Sequence, residues 1–206
     1  MCDIVYRDEC LLVLDKPSGL LAVPGRGVDL QDCLSARAQR EFPGALVVHR
    51  LDRDTSGLMV MALDIDSQRE LSRQFAVRSV EKHYLAVVFG RPGTTSGTID
   101  LPLCKDFDRP PRHMVDRVNG RPARTDWRLI ESSADRSRLE IKPITGRSHQ
   151  IRLHMATLGH PILGDNLYAP DEVRAMSPRL LLHAERLSLD HPRGRGRMTW
   201  NSACPF

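Results

Sequence analysis

A chain of 206 residues, 41% hydrophobic and 27% charged, has the make-up of a globular protein with enough material for a substantial core. No apolar run approaches the roughly 18 residues of a membrane span, which excludes a membrane helix and leaves a chain not expected at a membrane. The formal net charge of +4 admits a polyanionic partner without requiring one. Cys2, Cys10, Cys33, Cys104 and Cys204 are odd in number and form no C-x-x-C pair. They argue against a disulfide framework or a zinc site and suit a reducing cytoplasm. Met1-Cys2-Asp3-Ile4 lacks a basic n-region, so no secretory signal is expected.

In chain order, residues 4–7 and 10–15 predict two short strands around a turn at Asp8-Glu9. Lys16-Pro17-Ser18-Gly19 and Val23-Pro24-Gly25-Arg26-Gly27 break the pattern. Asp29 or Asp32 is expected to cap a helix running to about Phe42. The apolar runs 45–48 and 58–63 read as strands on either side of a charged segment. Asp64 or Asp66 caps a second helix to about Ala76, with Leu71 and Phe75 on one face. Residues 82–89 read as a strand, and 91–116 as loops with short strands. Residues 123–131 and 138–144 form an antiparallel pair, in which Leu139, Ile141 and Pro143 alternate with Arg138, Glu140 and Lys142. Ser148 is expected to cap a helix over about 149–158, closed by Gly159, and 180–189 gives a late strand. The order lacks a regular βαβ rhythm. It predicts one α+β domain over 1–206, built on a mainly antiparallel sheet.

Chemistry-bearing residues concentrate in His49-Arg50-Leu51-Asp52-Arg53-Asp54-Thr55-Ser56-Gly57, beside the expected core. Charged groups there need partners. Asp52 fits either a structural ion pair or a catalytic carboxylate held ionised by Arg50, Arg53, Arg147 or Arg152. Metal ligation fits poorly, because no second carboxylate or His apart from His49 falls at a familiar spacing. In Lys142–Arg152 a strand leads through Thr145-Gly146 into a helix whose first turn carries Arg147, Ser148, His149 and Gln150. That arrangement serves phosphate binding, carboxylate pairing or plain capping. Tyr84 is either a core tyrosine or a base-stacking aromatic. Ile141 to Gly164 contains no acidic residue, and six Arg between Arg109 and Arg128 face two Asp. These stretches read as a phosphate footprint or as solvated charge.

Taken together, these segments resemble the RluA-type pseudouridine synthases. The likeness rests on Asp15-Lys16-Pro17-Ser18-Gly19-Leu20-Leu21, on His49-Arg50-Leu51-Asp52 with Thr55-Ser56-Gly57-Leu58, on Lys82–Tyr84, on Arg147-Ser148-His149-Gln150-Ile151-Arg152-Leu153-His154, and on Gly159-His160-Pro161-Ile162-Leu163-Gly164-Asp165. It runs from about Ile4 to the C-terminus. The resemblance implies an α+β pseudouridine synthase domain without an S4 module, acting as a cofactor-free and metal-free isomerase of uridine. It implies that Asp52 is the catalytic carboxylate, that Tyr84 stacks on the base, and that Arg152 pairs with Asp52. Arg50 would fill the space left by a flipped-out uridine, and Leu180 or Leu181 would wall the base pocket. Arg147 and His49 would contact RNA, and Arg109 and Arg112 lie in a stretch resembling the family's RNA-clasping loop. Cys104-Lys105-Asp106-Phe107-Asp108-Arg109-Pro110-Pro111 and the ending Met198-Thr199-Trp200 and Pro205-Phe206 look most like the dual-specificity subfamily. Its substrates are tRNA anticodon and 23S rRNA stem-loops, and a cytoplasmic monomer is expected. A member acting on other uridines, an inactive RNA-binding relative, and a nucleotide hydrolase releasing free uracil are the competing readings.

Overall fold

The computed structural model describes residues 2–206, and its backbone divides into two compact units. The first runs to Lys82 and adds His183–Pro205; the second is His83–Leu182 with Phe206.

The first unit begins with β1 (Asp3–Arg7), β2 (Leu11–Lys16), α1 (Leu34–Glu41), β3 (Leu46–Val47), β4 (Ser56–Ala62) and α2 (Ile65–Ala76). β2 pairs antiparallel with β1 and with β4, in a register that sets Leu11 against Ala62 and Lys16 against Gly57. Residues 11–14 of β2 and 57–62 of β4 read as unbroken apolar runs because both faces of these strands are covered. Leu11, Val13, Leu58 and Val60 enter one core with Leu71 of α2 and with Trp200. Their neighbours Leu12, Leu14, Met59 and Met61 enter another with Leu34 and Ala38 of α1. The period-2 alternation of strand side chains thus divides one apolar sequence between two cores.

The second unit holds β5 (Glu81–Phe89), β6 (Ser96–Asp100), β7 (Leu103–Lys105), β8 (His113–Val115), β9 (Arg124–Ser132), β10 (Arg136–Pro143), α3 (Gln150–Thr157) and α4 (Asp171–Ala175). β5, β10, β9 and β6 follow one another as antiparallel neighbours, and β7 and β8 form a separate hairpin. Ile151 and Met155 of α3 close over Ala86, Val88, Trp127, Leu139 and Ile141. The chain then returns to the first unit as β11 (Leu182–Asp190) and β12 (Arg197–Asn201). β11 pairs parallel with β4, setting His183 against Ser56 and Ala184 against Gly57. The architecture is the α+β arrangement with mainly antiparallel pairing that the element order predicts.

Local differences have local causes. α1 starts after Cys33, whose sulfur accepts the Ala36 N–H, because Asp32 is drawn into a two-pronged bond with Arg37. The expected strand at 45–48 shrinks to the two residues of β3. Asp64 does cap α2, through the Ser67 N–H at 2.8 Å. Ser148 does not cap α3: the helix starts at Gln150, after His149 in a left-handed conformation (φ 55°). α4 and β12 carry too few periodic apolar residues to have announced themselves.

Candidate active-site segments

The segment carrying Asp52 is a tight loop in the first unit, leading into β4. Leu51, Thr55 and Ser56 are buried, Asp52 is half-buried and Arg50 is exposed. The Asp52 carbonyl accepts the Thr55 N–H at 3.2 Å. What fixes the loop is Lys16, at 0% exposure. Its ammonium donates to the carbonyls of Pro17 (2.8 Å), Leu20 (2.7 Å) and Arg53 (2.8 Å). A buried cation is tolerable only with such a complement of acceptors. The Gly19 N–H donates to the same Arg53 carbonyl at 2.9 Å, and the Ser18 hydroxyl to the Asp54 carbonyl at 2.7 Å. The turn at Lys16–Gly19 and the Asp52 loop are therefore one hydrogen-bonded body. Arg53 and Asp54 contribute their carbonyls to it and pair with each other at the surface (3.1 Å).

Gly57 follows with φ 108°, and a Cβ there would lie 2.3 Å from the Ala184 carbonyl oxygen. Only glycine permits β11 to approach β4 at this register. Ser56 Oγ and His183 Nδ1 lie 2.9 Å apart across the same pair of strands.

His49, expected as an RNA contact, has its Nε2 and one ring face committed to the fold. Its Nε2 accepts the Val60 N–H at 3.0 Å, and its ring stacks on Phe75 at 4.4 Å. Burial, with the nearby Lys82 charge adding, pushes the imidazole down to about 3, so it stays neutral and serves β4. Lys82 itself is pushed down to about 8 by burial, with the Arg78 charge adding.

Asp8, Cys10 and His191 bring a carboxylate, a sulfur and an imidazole within 4.8 Å of one another. His191 Nδ1 accepts the Arg193 N–H at 3.2 Å, so the ring proton sits on Nε2 and is donated to Asp8 at 2.9 Å. A ligating histidine needs the opposite tautomer. Burial and the Asp8 carboxylate push the Cys10 thiol up to about 11, which keeps it protonated. Burial works against the Asp8 carboxylate, but the Cys10 and Leu11 N–H groups and His191 carry it well below its ordinary range. The cluster is a hydrogen-bonded closure of the β1–β2 turn.

The other candidate residues lie in the second unit. Tyr84 is half-buried on β5 opposite Ile141, against the core of Ala86, Val88 and Leu139. Arg152 is 2% exposed and forms a two-pronged ion pair with fully buried Asp165: Nε to Oδ2 at 2.8 Å and Nη2 to Oδ1 at 2.6 Å. Nη2 also donates to Asn166 Oδ1 at 3.0 Å, so at least three of the five guanidinium donors are engaged. Asp52 is the partner expected of Arg152; within its own unit the guanidinium is held by Asp165. That carboxylate, thirteen residues further on, closes the Gly159–Asp165 motif. Asp165 Oδ1 also accepts the N–H groups of Leu167 and Tyr168.

The start of α3 is largely committed to the fold. The Gln150 amide accepts from the Thr145 hydroxyl (2.6 Å) and the Arg147 N–H (3.0 Å), and donates to the Arg124 carbonyl (2.9 Å) and Thr125 Oγ1 (3.0 Å). His154 is buried between Thr125 Oγ1 (2.8 Å) and the Leu101 carbonyl (3.1 Å), and burial lowers its pKa despite that carbonyl. Arg147 is half-buried at the rim, donating to the Pro122 carbonyl at 3.2 Å. On the segment between β7 and β8, exposed Arg109 pairs with Asp106 at 3.0 Å, and Arg112 lies 5.3 Å over the Tyr168 ring. Arg124 and Arg128 pair with Asp126 and Glu140, so the basic stretch carries less uncompensated charge than its arginine count implies. Leu180 is buried in the core, whereas Leu181 keeps exposed surface. Of the two, Leu181 has area to offer a ligand.

Comparison with known proteins completes the picture. The profile of the RNA pseudouridylate synthase family matches residues 10–157, a stretch that draws on both compact units. The chain is 49% identical over 204 residues to the dual-specificity RNA pseudouridine synthase RluA of Escherichia coli (strain K12), covering 98% of this chain and 93% of that protein. It is 44% identical over 205 residues to the protein of the same name from Haemophilus influenzae, covering 99% and 94%. The solved structure of human RNA pseudouridylate synthase domain containing 1 matches at a TM-score of 0.84 and 29% identity, over 100% of this chain and 84% of that one. Folded as these relatives are and matched along nearly its whole length, the chain belongs to the RNA pseudouridylate synthase family and is a pseudouridine synthase, an isomerase.

Proposed function

We propose that this enzyme is a dual-specificity synthase that isomerises uridine 32 in the tRNA anticodon loop and uridine 746 in 23S rRNA, without a cofactor. The observation that carries this reading is the 49% identity, over almost all of both chains, with an enzyme named for dual specificity. Asp52 is the nucleophile. Its carboxylate attacks the sugar carbon C1′ as the bond to uracil N1 breaks, and the electron pair of that bond leaves with the base. The uracil turns within the site, C5 forms the new bond to C1′, and the carboxylate departs. The C5 proton is removed and N1 takes one up, so nothing is released. Tyr84 stacks on the base and takes the C5 proton. Arg152, fixed by Asp165, is assigned by the family resemblance the counter-charge for the reacting carboxylate. A stacked uridine must be flipped out to react, and exposed Arg50 fills the space it leaves. Arg109, Arg112 and Arg147 contact phosphates, and Leu181 contacts the base. The enzyme works as a cytoplasmic monomer.

The test is Asp52→Asn, assayed on an anticodon stem-loop and on a 23S rRNA fragment. Pseudouridine formation should be lost while RNA binding is kept. Wild-type turnover by the variant would overturn the assignment. Release of free uracil by the wild-type enzyme would establish the hydrolase instead.

A further inference from the structure

Tyr168 belongs to none of the segments given a role above, yet three parts of the second unit meet on its side chain. Its hydroxyl accepts the N–H of His113, the first residue of β8, at 2.8 Å. The same hydroxyl lies 2.8 Å from His149 Nδ1. Besides accepting from His113, a phenol can either give its one proton to that ring nitrogen or accept from it, so both bonds form at once. The Tyr168 backbone N–H donates to Asp165 Oδ1 at 3.1 Å, the oxygen that receives Arg152 Nη2. The ring lies beneath two guanidinium groups, Arg112 at 5.3 Å and Arg152 at 5.5 Å.

Two features elsewhere become intelligible through these contacts. His149 adopts φ 55°, a conformation bulky L-residues rarely take unless their surroundings over-determine it. The Tyr168 hydroxyl and the edge of His113, at a centroid distance of 5.1 Å, are part of those surroundings. The β7–β8 hairpin has only two strands, and an isolated hairpin of that size has little stability of its own. Tyr168 bonds to its backbone and packs with Val115 against the cluster of Leu103, Ala123 and Leu153.

We propose that Tyr168 is a positioning residue for the isomerisation: one side chain sets the distance between the arginines of the β7–β8 hairpin and the buried Arg152–Asp165 pair. The proposal rests on the reading above, in which hairpin arginines hold RNA and Arg152 serves the reacting carboxylate. Displacing one of these groups relative to the other by about an ångström is enough to cost on the order of 100-fold in rate. Phosphate contacts would survive such a displacement.

Tyr168→Phe keeps the ring and both arginine contacts and removes only the hydroxyl. On an anticodon stem-loop, kcat should fall by about tenfold or more, with RNA affinity changed by less than about threefold. Hydrogen exchange at the His113 amide should become fast. His149→Asn cuts the other end of the tie with a residue that tolerates the left-handed conformation. It should show a similar kcat loss, and the double variant should lose little more. Wild-type kcat in Tyr168→Phe, or a lowered kcat with the His113 amide still protected, overturns the proposal. So does full additivity in the double variant. Arg112→Ala tests the underlying reading separately: unaltered RNA affinity there would remove the hairpin from the RNA interface whatever Tyr168→Phe does.

Discussion

Replacing Lys16 with Met retains an unbranched stem in the same space and deletes the ammonium. Three carbonyls, those of Pro17, Leu20 and Arg53, then lose a charged donor held at 2.7–2.8 Å. The Arg53 carbonyl keeps the Gly19 N–H, so two carbonyls, those of Pro17 and Leu20, are left unsatisfied at about 1–3 kcal/mol each. Relief of the desolvation cost of a buried cation offsets part of this. A net loss of about 2–4 kcal/mol is expected. For a chain of this length that corresponds to a fall in Tm on the order of 10 °C. The Arg53 carbonyl is one residue from Asp52, so the damage should reach chemistry as well. Pseudouridine formation, measured at a temperature where the variant is fully folded, should fall by on the order of tenfold or more. Urea unfolding monitored by circular dichroism gives the stability change. A loss below about 1 kcal/mol together with wild-type turnover would refute the idea that Lys16 holds the Asp52 loop.

The remaining predictions concern the same unit. His49 is neutral when folded, with a pKa pushed down to about 3, and has an unfolded value near 6.5. The unfolded chain therefore binds a proton that the folded chain refuses. Stability should fall as pH drops below about 6.5, by at most about 1.4 kcal/mol per unit down to about pH 3. Urea midpoints across that range should flatten in His49→Gln, and an unchanged slope would count against burial as the cause. Gly57→Ala should cost more than about 3 kcal/mol, because its Cβ meets the Ala184 carbonyl at 2.3 Å and φ is 108°. Gly19→Ala, with φ 84° and open space around it, should cost only about 1 kcal/mol in the same urea assay. Equal losses at the two glycines would discount the steric argument.

Much of this was legible in the residues because it is written in local signals. The unbroken apolar runs of β2 and β4, the Asp64 cap, the alternation in β10 and the Gly159 stop each need only their neighbours to be understood. The misreadings share a different origin. Asp32 has the right residue type for a cap, but Arg37 competes for it. Ser148 precedes a helix in sequence, yet the amide of Gln150 reaches back to Thr145 and Arg147 and moves the start. His49 sits among charges in sequence and stacks on Phe75, 26 residues away in the numbering, in space. Lys16 looked like part of an ordinary turn because the Arg53 carbonyl lies 37 residues further along. Residue type suggested what each group could do, and partners distant in the chain decided what it does.

The parallel pairing of β4 with β11 joins residues that emerge from the ribosome far apart in time. Ser56 meets His183, 127 residues further along, only after residues 83–182 have been made. The second unit is one continuous stretch apart from Phe206, so it can assemble while synthesis continues. The first unit must wait, with the Ser56–Gly57 end of β4 lacking its β11 partner until residues 183–205 arrive. Synthesis of this enzyme therefore includes an interval in which part of the edge of a largely apolar strand is open, and the interval closes with the arrival of residues 183–205.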